Sequence, residues 1–118
     1  MNAGLEMDPA IRQRWVSALR SGRYPQAREN LRTTEGFCCY GVLCELAVED
    51  GAIPAPEEPD QGVYRYSGAI ALLPHAVKTW ASIGFEQMWL ARRNDDGWTF
   101  DQIADVIEGR IPAESARF

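Results

Sequence analysis

Apolar residues recur at helical spacing in five separate stretches of the chain, and these stretches set the expected fold. Asp8-Pro9 opens the first: the Asp side chain can accept orphan amides, and proline suits the first helical turn. Ile11, Trp15, Val16 and Leu19 then fall on one face, and Ser21-Gly22 closes the helix. Thr33 or Thr34 is positioned to cap a second helix, which carries Phe37, Val42, Leu43, Leu46 and Ala47 inward and stops near Gly51. Pro74 starts a third helix through Val77, Trp80 and Ala81, with Gly84 as its end. Residues 85–93 supply a fourth, with Met88, Trp89 and Leu90. Thr99-Phe100-Asp101-Gln102 is a capping box of the Thr-x-x-Gln kind. It opens a last helix whose inner face is Phe100, Ile103, Ala104 and Ile107 and whose end is Gly109.

Between the helices the pattern changes. Residues 1–7 read as a frayed tail. Residues 23–32 are polar, a loop or short helix anchored by Tyr24 and Leu31. Residues 52–62 hold three prolines and several acids, which predicts an exposed irregular loop. Residues 63–66 have strand character, Ser67-Gly68 is a turn signal, and residues 69–73 form the expected return strand. Asn94-Asp95-Asp96-Gly97 reads as a turn. The expected fold is therefore α+β: one mainly helical domain over residues 1–118, with four to five helices and a small β-hairpin.

A length of 118 residues suits one core, and 46% apolar with 25% charged residues argues against global disorder. No apolar run approaches the roughly 20 residues that span a bilayer, so no membrane association is expected. The first residues lack the basic and apolar regions of a secretion signal, and three cysteines are an odd number for a disulfide framework. Both features point to the cytoplasm and reduced thiols. The net charge is −5, which opposes general nucleic-acid binding. The charges are also segregated. Arg12, Arg14, Arg20, Arg23, Arg28 and Arg32 make the first third basic, and Glu45, Glu49, Asp50, Glu57, Glu58 and Asp60 make the middle acidic.

Reactive chemistry has one candidate location. Cys38 and Cys39 lie near the expected start of the second helix, where the helix dipole favours thiolate. His75 is the one histidine, so a Cys/His nucleophilic pair with Asn94 or Asp95 as orienting group is conceivable. The competing reading is that Cys38, Cys39 and Cys44 are small buried hydrophobes among Phe37, Val42, Leu43 and Leu46, and it is preferred. A zinc site is disfavoured: adjacent cysteines followed by Cys44 point to different sides of a helix at about 100° per residue. A calcium loop centred on Gly97 would need oxygen donors where Arg92 and Ile103 stand. No metal or cofactor is expected. Residues 100–107 echo the first helix of a helix-turn-helix, but Gly109 and Pro112 interrupt the expected recognition helix.

Binding offers a stronger pattern. Arg20, Arg23, Arg28 and Arg32, with Tyr24 among them, combine residue types that anchor interfaces and grip carboxylate or phosphate. Trp98, beside Gly97 in a polar turn, is a further candidate anchor. The alternative is a solvated face whose arginines pair with Glu57, Glu58 and Asp60.

Three blocks carry a family resemblance: residues 15–24, residues 36–47 with their Phe-Cys-Cys-x-Gly-Val-Leu-Cys wording, and residues 94–108. Together they resemble a family of small uncharacterised proteins of tailed bacteriophages and prophages. Tyr40 and Arg93 stand where that pattern has leucine. The resemblance implies a phage accessory protein in the bacterial cytoplasm. The leading expectation is a non-enzymatic protein that binds and modulates a host or anti-phage defence component. The alternatives are a small cysteine-dependent hydrolase or transferase, and a nucleotide-sequestering sponge using the arginines. A homo-oligomer fits the same properties.

Overall fold

The computed structural model describes residues 5–84 and 89–112. Five helices are found among them: α1 (Pro9–Arg20), α2 (Cys39–Glu49), α3 (His75–Ala81), α4 (Trp89–Asp95) and α5 (Phe100–Glu108). Four short strands, β1 (Arg32–Thr33), β2 (Gly36–Phe37), β3 (Glu57–Asp60) and β4 (Val63–Arg65), form one antiparallel sheet of order β2-β1-β4-β3. The α+β class expected from the sequence is therefore found.

The helices form for the expected local reasons. Asp8 accepts the Ile11 amide at 3.0 Å, with Pro9 in the first turn. Thr99 and Gln102 complete the capping box of α5, and Gly109 closes it in the left-handed region at φ 89°. α2 is the central element. Its buried residues Cys39 to Cys44, Leu46 and Ala47 leave little of its circumference to solvent, as befits a helix enclosed by α1, α3 and α4. Trp15 of α1 is fully buried against it, its ring 5.4 Å from Tyr40 and its indole N–H donating to the Cys39 carbonyl at 2.9 Å.

Several expectations are corrected. Neither Thr33 nor Thr34 caps α2: Thr33 belongs to β1 and Phe37 to β2, and Cys38 is the N-cap residue. The hairpin pairs β4 with the segment before it. β3 and β4 join through Gln61-Gly62, with Asp60 opposite Val63 and Glu57 opposite Arg65. Residues 69–73 supply only a Tyr66–Ala69 bridge across the Ser67-Gly68 turn. The acidic stretch 52–62 is exposed at most positions, yet Ile53 is buried and Glu57–Asp60 is an edge strand. Ser82, not Gly84, ends α3 in the left-handed region. The expected tail is docked where it is described: Leu5 and Met7 are buried, the Leu5 amide donates to Ile107 O at 3.0 Å, and the Asp8 amide donates to Ala81 O at 2.9 Å. Met88 and the start of the fourth expected helix lie outside the described residues.

Residues 23–31 form a loop rather than a helix. It is pinned at Gln26, which bridges to Phe37, and at Leu31, whose amide donates to Ile70 O at 2.7 Å. α2 starts directly beneath Leu31, and Gly41 permits that approach. A Cβ on Gly41 would stand 1.7 Å from the Leu31 carbonyl oxygen.

Candidate functional site

The cysteines sit where the sequence places them, at and after the start of α2, but their surroundings oppose nucleophilic chemistry. Cys38 is 4% exposed, and Cys39 and Cys44 are fully buried. All three are free thiols. Burial pushes the Cys38 thiol up to about 11, outweighing the amides of Gly41 and Tyr40 that favour thiolate. Burial likewise raises the Cys39 and Cys44 thiols well above the ordinary thiol value. The helix dipole acts as anticipated, and desolvation is the larger effect.

The other members of the suggested nucleophilic constellation are engaged elsewhere. His75 is exposed, and its Nε2 lies 3.4 Å from Thr79 Oγ1 on the next turn of α3. Asn94 and Asp95 belong to the end of α4, not to a free turn. Asn94 is fully buried; its amide donates to Ala27 O at 2.8 Å and its Oδ1 accepts from Gln26 Nε2 at 2.9 Å. Asp95 accepts the Glu29 amide at 2.7 Å. Among the described residues, no group of three or more His, Cys, Asp or Glu side chains is arranged to hold a metal ion.

The arginines do not share one face. Arg20 leaves the proposed patch and joins α1 to α5, hydrogen-bonded to Asp105 and Glu108, with Asp101 at 3.9 Å. Arg32 is held within the fold. Its guanidinium carbon lies 4.8 Å from the Phe37 ring centroid and 4.1 Å from that of Tyr64, and it donates to Glu45 at 3.4 Å. Glu45 also accepts from the buried Tyr66 hydroxyl, whose pKa burial and that carboxylate raise. Arg20 and Arg32 thus take acids on α5 and α2, rather than Glu57, Glu58 and Asp60, the partners that the solvated-face alternative assigns them.

Arg23, Tyr24 and Arg28 remain on the surface in two places. Arg23 lies 5.9 Å over Tyr24, and Tyr24 packs edge-on against Phe37 at 5.2 Å. These two border a groove of about 580 Å³ between α1 and α2. Arg28 instead meets Trp98 in a small cleft of about 160 Å³ with Gln26, Asn94 and Gly97. Its guanidinium lies so close over Gly97 that an added Cβ there would come within 3.4 Å. Trp98 is half-buried, packed partly on the core, rather than fully exposed.

The cleft owes its shape to Gln26. Its Nε2 donates to Asn94 Oδ1 and to Trp98 O at 2.7 Å, and its Oε1 accepts the Phe100 amide at 3.1 Å. One side chain thereby fixes the 26–28 loop to the α4–α5 connection. Sequence reading passes over Gln26 because a glutamine in a polar stretch carries no periodicity. Asn94 misleads for a different reason: beside Asp95, Asp96 and Gly97 it looks like turn chemistry, and only the fold shows its burial.

No helix among the described residues is long and apolar enough to cross a membrane. No curated protein and no solved structure matches the chain. A family described as a domain of unknown function, DUF8296, matches residues 7–111, which run from just before α1 to just beyond α5. The chain belongs to that family.

Proposed function

We propose that the protein is a non-enzymatic accessory protein of phage origin, which acts in the bacterial cytoplasm by binding a host or anti-phage defence protein. The phage assignment is supported by the resemblance of the Phe-Cys-Cys-x-Gly-Val-Leu-Cys block and its two flanking blocks. The preference for binding over thiol catalysis is supported by the desolvation that holds Cys38 protonated to about pH 11.

The single observation that carries the binding site is the pairing of Arg28 with Trp98. The two residues are 70 positions apart in sequence (98 − 28) and line one cleft. Arginine and tryptophan are the residue types that dominate interface energetics. Arg28 is exposed and makes no ion pair among the described residues. The hydrogen bonds of Asn94 with Gln26 and with the Ala27 carbonyl hold the loop in place, so little ordering entropy opposes binding. A carboxylate on the partner suits the guanidinium, and an apolar side chain suits the indole.

The test is capture from lysate of phage-infected bacteria on immobilised wild-type and Arg28→Glu protein. Arg28 is exposed, so the variant keeps its melting temperature. The expected result is a partner enriched by the wild type and reduced at least about tenfold by the variant, the effect of roughly 1.4 kcal/mol in binding. Equal recovery by both proteins refutes the assignment of the site.

A further inference from the structure

The loop that carries Arg28 makes its tightest bend at Glu29. Its two ends are fixed: the Ala27 amide donates to Phe37 O and the Leu31 amide to Ile70 O, both at 2.7 Å. Arg28, Glu29 and Asn30 must join these anchors. The Asn30 amide donates to Arg28 O at 2.9 Å, across the single residue Glu29, whose φ is 74°. That combination is a γ-turn of the positive-φ form, which is rare and strained. Among the described residues, the other non-glycine positions with positive φ are Gln61, Ser67 and Ser82. Gln61 and Ser67 lie in two-residue turns between paired strand positions, and Ser82 ends α3, settings where this region is ordinary. Glu29 lies in neither setting.

One contact offsets the strain. The Glu29 amide donates to Asp95 Oδ1 at 2.7 Å, a charge-assisted bond to the last residue of α4. Two residues further on is Gly97, over which the Arg28 guanidinium lies, and Trp98 follows. The connection that presents Trp98 therefore also holds the turn that presents Arg28.

We infer that Asp95 is a positioning residue: its carboxylate latches the strained turn at Glu29 and so keeps Arg28 beside Trp98. Without the latch the turn opens, and Arg28 samples directions away from the cleft. The latch belongs to the free protein, while its consequence for binding rests on the site proposed above. There a partner meets only the fraction of molecules with Arg28 in place, and opening the turn weakens apparent affinity in proportion.

Backbone amide NMR relaxation of the free protein reads the latch at Arg28 and Asn30. A rigid amide gives an order parameter of about 0.85, and a flexible one less than about 0.6. The wild type should give the first value and Asp95→Ala the second. Asp95→Asn keeps an oxygen that can accept the Glu29 amide and should stay near the wild type. The strain is read by urea unfolding of Glu29→Gly against Glu35→Gly, an exposed turn position without positive φ. Glycine relieves strain only at the first, so Glu29→Gly should have the higher midpoint. An Asn30 amide that stays rigid in Asp95→Ala overturns the inference. So does an equal loss of order in Asp95→Asn, or a Glu29→Gly midpoint no higher than that of Glu35→Gly. None of these readouts needs a partner, so an Arg28→Glu protein that still captures its partner defeats the binding site and leaves the latch standing.

Discussion

Replacing Gly41 by alanine tests how α2 is seated. The added Cβ would stand 1.7 Å from the Leu31 carbonyl oxygen and 2.7 Å from its carbon, whereas carbon atoms in ordinary contact lie roughly 3.5–4.0 Å apart. The helix would have to withdraw by more than about 1 Å to relieve this. Leu31 cannot yield easily: its side chain is fully buried, its amide donates to Ile70 O, and its carbonyl accepts the Cys38 amide at 3.1 Å. Overpacking costs about 1–3 kcal/mol and sometimes more. Loss of the Cys38–Leu31 hydrogen bond adds about 1 kcal/mol, and the better helix propensity of alanine offsets about 1 kcal/mol. The last two terms cancel, and because the clash is with backbone the net loss should lie at the upper end of the overpacking range, about 2–3 kcal/mol, which for a domain of this size lowers Tm by roughly 8–12 °C. Urea unfolding followed by tryptophan fluorescence measures it, with Gly22→Ala as control. No atom lies within 4 Å of a Cβ at Gly22, so only its left-handed backbone (φ 77°) opposes alanine, at about 1 kcal/mol. A Gly41→Ala protein as stable as the wild type, or no worse than Gly22→Ala, refutes the close approach.

The remaining predictions concern the polar node and the thiols. Asn94→Leu strands the Ala27 carbonyl and one Gln26 contact, and should cost about 2–3 kcal/mol in the same urea assay; a neutral outcome would show that Asn94 does not pin the loop. Native Cys38, Cys39 and Cys44 should react with a thiol reagent near pH 8 only at the rate of unfolding, and fast labelling of all three would contradict their burial. An exposed thiol ionises near pH 8.5, about 2.5 units below the folded Cys38 at about 11. Between those values the unfolded chain has released a proton that the folded chain keeps, so stability falls as pH rises. This contribution is fully present below about pH 8.5; urea midpoints that stay flat or climb from pH 8.5 to 11 would contradict it.

The parts of the fold that were legible in the sequence are those with a local cause. Asp8-Pro9 and the Thr99–Gln102 box start helices by satisfying their own first-turn amides, and no distant contact is needed to read them. The strands lack such a cause. Glu57–Asp60 is wholly exposed and contains Pro59, so neither alternation nor β-propensity marks it. It is a strand because Gln61-Gly62 folds it back on Val63–Arg65. β1 and β2 have two residues each, too few for any period. The candidate binding residues could be picked out in the sequence as chemical types but not located in space. By sequence Arg20 groups with the loop arginines Arg23, Arg28 and Arg32, yet its place in the last turn of α1 puts it within reach of the acids on α5. Arg28 and Trp98 became neighbours only through Gln26, whose role is defined by its partners across the fold. The burial of Leu5 and Met7 was hidden for a similar reason, since the backbone of this segment is tied to distant helices, to α5 at Ile107 and to α3 at Ala81.

The central claim is that the Arg28–Trp98 cleft binds a partner protein. Hydrogen–deuterium exchange of the complex with the captured partner tests it most directly. The account predicts slowed exchange in residues 26–29 and 96–99 on binding, with the buried core of α2 unchanged. Protection confined to other segments, with those two exchanging as in the free protein, would contradict it.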